Sequence, residues 1–212
     1  MPINHIARKR FVTLHSLNNL GIVNWVSHLK HTLSGHNLEN LVDDFTTPMN
    51  LYKNIKKIII NCYKAKYISS IQCEQMCPKL RTYQLFKHNF DLEDYMFLRI
   101  SKYRVSLCRL RISSHDLEIE RGRYTVPKTP VNMRLCKQCN AGEVEDEKHF
   151  IISCVKYRNI RINLINVNIS AIPNFTNLDK NEQFQSIMCS RDNNVIFELA
   201  KFCYLAFKLR AG

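Results

Sequence analysis

A chain of 212 residues with 45% hydrophobic residues, only five Gly and six Pro reads as folded and mainly α-helical rather than disordered, and is long enough for one large or two small domains. Its formal net charge of +13 points to a nucleic-acid or anionic-surface partner, which concerns association and not fold. Nine cysteines are an odd number, the start MPINHIARKR meets charge before any apolar core, and no apolar run has bilayer length. Secreted disulfide frameworks and membrane spans are therefore set aside, and the expectation is an intracellular protein, cytoplasmic or nuclear, whose cysteines fill cores or bind metal.

In residues 2–34 apolar positions recur at helical spacing, Phe11, Leu14 and Leu17 in one set and Ile22, Val26, Leu29 and Leu33 in the next, with a break at Asn18, Asn19 and Gly21 that predicts two helices. Arg8, Lys9 and Arg10 resemble a targeting signal but are read as the solvated face of the first helix. Asp43 and Asp44 invite a polymerase reading; no strand follows and, Glu39 apart, no further carboxylate lies nearby to hold two ions, so they are read as a helix end in solvent. From Thr47 as N-cap and Pro48 just inside, a long helix is predicted to about Ser69. Leu51, Ile55, Ile58, Ile59, Cys62 and Tyr63 face inward and five lysines outward, as a phosphate-facing surface or simply a soluble one. Cys73 and Cys77 lack further ligands at suitable spacing and are left free.

At Pro78 the basic residues change from Lys to Arg. Residues 79–90 and 94–113 are predicted as two amphipathic helices, the second with Phe97, Ile100, Val105, Leu107, Cys108 and Ile112 as its apolar positions. Its basic positions include Arg104, Arg109 and Arg111, and Arg121, Arg123 and Tyr124 follow; planar guanidinium groups can each bind two phosphate oxygens.

The stretch from Leu135 to Tyr157 carries Cys136, Cys139, His149 and Cys154 in the pattern C-x2-C-x9-H-x4-C. Two cysteines in a tight turn, with a His and a Cys from a following short helix, suit a closed tetrahedral Zn2+ site of the structural kind, with no position left for water. A redox pair is the other use of C-x2-C, but no strand-then-helix pattern of the thioredoxin kind surrounds it. Arg134 and Lys137 are placed to favour the thiolates. Glu145 is a candidate partner for the second ring nitrogen of His149, although Glu145, Asp146 and Glu147 also suit the first turn of a helix.

Beyond the zinc stretch a helix continues through Tyr157, Ile160 and Ile162, an Asn-rich segment with Pro173 follows, and residues 194–210 form a last apolar helix; Cys189 and Cys203 are assigned to core packing. Cys136 and Cys139 aside, no nucleophile, Gly-rich phosphate loop, G-x-S-x-G or H-E-x-x-H is visible, and His115 with Glu118 or Glu120 is read as structural or RNA-contacting. The expectation is therefore a non-enzyme without a small-molecule substrate.

The runs LRTYQLFK, KYRVSLCRLRISSHDLEIERGRY and RLCKQCN, followed by EDEKHFIISCVKYRNIR, resemble the zinc-binding segment that follows the polymerase domain in non-LTR (LINE-like) retrotransposon reverse transcriptases. The shared pattern falls on Leu110 and Arg111, Ser113 or Ser114 with His115, Leu117 to Glu120, Gly122 to Tyr124, and Glu145 to Glu147 leading into His149, Phe150 and Cys154. The resemblance implies a helical connector over 1–77, arginine-rich helices with a small CCHC zinc module over 78–165, and a C-terminal helical tail over 166–212. It also implies binding of element RNA or target DNA, with a polymerase domain as a possible partner in trans. The polymerase palm with its aspartates, the fingers and the endonuclease have no counterpart here, so polymerase activity is not carried over. In the binding reading, zinc pins Arg134 and Lys137 against Arg121, Arg123 and Tyr124, guanidinium groups meeting phosphates and the ring stacking on a base. The rival class is a protein-interaction module whose basic faces meet an acidic partner.

Overall fold

The computed structural model describes residues 6–35, 38, 42, 49–72 and 78–211. The readings of Asp43 and Asp44, of Thr47 and Pro48, and of Cys73 and Cys77 lie outside the described residues. Among those described the structure is helical without a sheet, as composition implied, and its one extended pairing is an isolated antiparallel bridge between Leu135 and Val144. No described helix is long and apolar enough to cross a membrane. The chain divides into two units, Met1–Lys66 and Tyr67–Gly212.

In the first unit, α1 (Ile6–Asn19) and α2 (Trp25–Ser34) turn at the predicted break, where Gly21 has φ +84°. Asn24 fixes that corner. Its side-chain oxygen accepts from the Val26 N–H at 2.9 Å, its amide donates to the Leu14 carbonyl at 2.9 Å, and Ser27 completes a capping box. Val26, Leu33 and Val42 form a small core with Phe11, Leu14, Leu29 and Ile59, the last from α3 (Met49–Gln72). The periodicity of α3 placed Ile58 and Tyr63 inward, yet both are exposed beside Lys56, Lys57 and Lys64.

The second unit departs from the predicted helices. Residues 79–90 are not a helix but short 3-10 turns, Pro78–Leu80 and Tyr83–Leu85, because their polar side chains are drawn into long-range pairs: Arg81 toward Glu120 and Glu147, and Tyr83 toward Glu93. Likewise 94–113 splits into a 3-10 turn, Asp94–Phe97, and α4 (Ser101–Arg111). The Arg104 guanidinium donates to the Leu98 carbonyl at 2.8 Å and holds the extended link between them. The buried face of α4 is Ser106, Leu107, Leu110 and Arg111, whereas Phe97, Ile100, Val105 and Ile112 are exposed, a correction to the face read from the sequence.

A short α5 (Glu118–Arg121) leads to the cysteine-bearing hairpin, and α6 (Arg158–Ala171), α7 (Lys180–Cys189) and α8 (Asn193–Ala211) follow. Asp179 caps α7 in a box with Glu182. The last helix is the centre of this unit: α8 packs on α4 and α6 through Val195, Leu199, Phe202, Cys203 and Ala206. Cys203 is buried as expected, but Cys189, at the end of α7, is exposed.

Candidate metal centre

Cys136, Cys139, His149 and Cys154 converge as the spacing required, all four buried, with one ligand atom from each lying within 4.8 Å of the others. The first two come from a hairpin in which the Cys136 N–H donates to the Glu143 carbonyl at 2.9 Å and the Glu145 N–H to the Arg134 carbonyl at 2.9 Å. Gly142, at φ +65°, makes the return turn that a β-carbon would strain. The other two bracket a π-helical turn, His149–Ser153, rather than an ordinary helix. Asp146 starts it by accepting from the His149 N–H at 2.7 Å, and the Cys154 N–H donates to the His149 carbonyl at 2.8 Å, which brings residues five apart to one face.

The donor set can be tested against tetrahedral zinc. Zn–S bonds of about 2.3 Å and Zn–N bonds of about 2.0 Å imply edges of about 3.8 Å between sulfurs and about 3.5 Å from sulfur to nitrogen. The Cys136 and Cys154 sulfurs are 3.9 Å apart, and the Cys139 sulfur lies 3.4 Å from His149 Nε2. The residues fit the ion, and four protein ligands complete a closed shell.

Around this shell the structure revises the predicted supports. His149 Nδ1 is 2.8 Å from Glu143 Oε2, not from Glu145, so Glu143 fixes the tautomer that leaves Nε2 free to ligate, and Lys180 of α7 stands behind it at 3.5 Å. The hydrogen bond from His149 holds the Glu143 carboxyl below its usual range. Arg134 and Lys137 do not serve the thiolates: Arg134 donates to the Thr129 and Ile119 carbonyls, and Lys137 lies 2.9 Å from Glu118. The cation beside the ligands is Arg161, buried in α6, which donates to the carbonyls of Cys154 at 2.8 Å and Phe150 at 3.2 Å. Burial pushes the Cys136 and Cys154 thiols up, and a cation held between them would stabilise their thiolates. Glu143→Ala is expected to weaken zinc binding about tenfold at unchanged stoichiometry, read by competition against a chromophoric chelator.

The acidic run was read as a helix start or a zinc support, but two of its members are buried anchors. Glu147 accepts from Ser113 at 3.0 Å, lies 3.0 Å from His115 Nε2, and accepts from Arg81 Nη2 on both carboxylate oxygens at 2.7 and 2.9 Å. Burial alone raises such a carboxyl; His115 and Arg81 outweigh it and bring it down to about 2. His115 is thus a structural histidine. Glu145, fully buried, pairs with Arg210 of α8 and accepts from the Glu118 N–H at 2.9 Å.

The arginines singled out for phosphate divide the same way. Arg111 is buried, lies 2.5 Å from Glu93, donates to the Met188 carbonyl at 2.9 Å and stacks 4.1 Å over Phe86. Arg104 serves Leu98, Arg109 donates to the Ser114 carbonyl at 3.0 Å, and Arg123 pairs with Glu120 at 3.0 Å. Arg134 runs directly under Gly122, where a β-carbon would meet its side chain at 2.7 Å, which is a physical reason for glycine there. Arg121, Tyr124 and Lys137 remain largely exposed. The sequence reading missed Arg81, Arg161 and Arg210, whose roles rest on partners remote in the chain. Comparison with protein families, with curated protein sequences and with solved structures finds no match to this chain.

Proposed function

We propose that this chain is a zinc-stabilised, non-catalytic nucleic-acid-binding module, the role implied by its resemblance to the zinc-binding segment of non-LTR retrotransposon reverse transcriptases, with element RNA or target DNA as ligand and a polymerase domain as possible partner in trans. The observation that carries this reading is the charge balance at the rim of the metal hairpin. Arg121 and Lys137, with side chains 60% and 70% exposed, both turn to Glu118, at 3.7 and 2.9 Å, and Arg210 approaches the same carboxylate at 3.9 Å. Arg210 is already neutralised by Glu145, so two exposed cations share the one Glu118 carboxylate and leave a positive rim, and exposed Tyr124 nearby in the chain offers a ring for base stacking. The ion's part is to hold the hairpin; binding falls to the side chains.

The test is the affinity for single-stranded RNA of mixed sequence as a function of salt. Affinity is expected to fall steeply with salt, and Arg121→Ala with Lys137→Ala to reduce the log–log slope by about 1 to 2 while zinc content and helicity stay unchanged. Absence of binding, or affinity insensitive to salt, rejects the reading.

A further inference from the structure

The second unit contains a cleft of about 1190 Å3 on the side of Glu147 that meets Arg81. The metal centre does not use it, and none of its lining residues is a metal ligand. Its floor is apolar, with Ile119 and Phe184 buried, and its walls carry large apolar side chains left in solvent: Leu85 57%, Val131 58% and Tyr124 66% exposed. Three such residues around one concavity are what a docking surface shows and a monomer's core does not. The mouth is cationic, with Lys128 and Lys148 on the lining beside Arg123, which is already paired with Glu120, and Lys128 has no ion-pair partner among the described residues. Its two carboxylates do not offset this charge outward, since Asp146 accepts from the His149 N–H and Glu147 is enclosed by Arg81, His115 and Ser113.

We propose that this cleft is a docking groove for an acidic amphipathic peptide segment of a partner protein, apolar anchors seated between Leu85 and Val131 and carboxylates facing Lys128 and Lys148. Size argues against a small metabolite, because such pockets run about 300–1,000 Å3. Wall chemistry favours a peptide over nucleic acid: aliphatic Leu85, Ile119 and Val131 line the trough, the rings of Phe86 and Phe184 are buried, and Tyr124 is the one exposed ring on the lining. An apolar trough with a cationic rim is the complement of a short helix carrying apolar residues at i, i+3 or i+4 and acids alongside. Arg121 and Lys137, the cations of the nucleic-acid reading, do not line the cleft, and Tyr124 is the one residue common to both.

The test is selection of a displayed library of random peptides of about 14 residues, enough for a helix of about 20 Å, against the zinc-loaded full chain. Enriched peptides are expected to combine two or more carboxylates with apolar residues at helical spacing. Affinity of a synthesised, fluorescently labelled representative should fall about tenfold or more in Leu85→Asp and in Lys128→Glu, and stay unchanged in Arg121→Ala. Both cleft substitutions are at exposed positions, so circular dichroism is expected to show an intact fold. Failure to enrich, enrichment of neutral or basic peptides, or affinity indifferent to Leu85→Asp overturns the proposal. So does displacement of the peptide by a single-stranded RNA whose own binding is lost in Leu85→Asp, which assigns the groove to nucleic acid.

Discussion

Removal of the metal by a chelator, or Cys154→Ser, is expected to abolish the cooperative melt of Tyr67–Gly212. The reason lies in what the ligands are attached to. His149 is followed directly by Phe150, which is fully buried and meets Tyr157 at 5.0 Å, Phe202 at 5.5 Å and Phe207 at 5.1 Å. Ligation and the aromatic core are thus adjacent on one backbone, joined by a single π turn. Structural zinc supplies about 10–16 kcal/mol, against a net stability of about 5–15 kcal/mol for an ordinary domain, so its loss exceeds what the core can absorb. Without the ion, Cys136, Cys139 and Cys154 remain as buried thiols beside Arg161, whose charge then faces only carbonyls. Scanning calorimetry and far-ultraviolet circular dichroism, with metal content followed by elemental mass spectrometry, measure the effect. A metal-free chain with an unshifted melt would show that the centre does not organise this unit.

The parts legible in the sequence were those written in local periodicity or short spacing. The first two helices broke where Asn18, Asn19 and Gly21 said they would, and α8 occupies 193–211 where its apolar pattern placed it. The convergence of Cys136, Cys139, His149 and Cys154 was legible because the types and intervals of metal-ligating residues are restricted by coordination. The face of α4 was not, since a short helix with apolar residues nearly all round leaves the burial choice to its neighbours. The partners of the acids and arginines were not legible for a related reason. Arg81 and Glu147 are 66 residues apart, and Arg210 and Glu145 65 apart, so neither pair leaves a local signature. In a chain of net charge +13, each arginine taken alone looks available for phosphate. Its availability depends on which carboxylate the fold delivers to it: for Arg81 and Arg123 that carboxylate is buried, and for Arg111 it is the largely covered Glu93.

Arg210→Ala is expected to destabilise the second unit by about 3–5 kcal/mol, the cost of leaving a buried carboxylate unpaired. Arg210 forks onto Glu145, with Nη2 2.9 Å from Oε2, and donates to the Asp116 carbonyl at 2.9 Å, tying the last turn of α8 to the metal hairpin and to the start of α5. Both side chains are withdrawn from solvent, 8% and 1% exposed, so solvent screening does not dilute the pair as it does at a surface. For a domain of this size the loss corresponds to a melting-temperature decrease on the order of 10 °C. The double variant Arg210→Met with Glu145→Met is expected to recover most of it, because apolar residues of similar volume replace the pair without an orphaned charge. The pair also bears on the metal. Glu145 lies 3.4 Å from the Cys136 sulfur, and its carboxylate adds to burial in pushing that thiol up. With Arg210 gone, the negative charge beside the thiolates is uncompensated, and zinc affinity should fall along with stability. A melt lowered with zinc affinity intact would leave Arg210 as a packing clamp only, whereas a loss below about 1 kcal/mol would place the pair among solvated surface bridges.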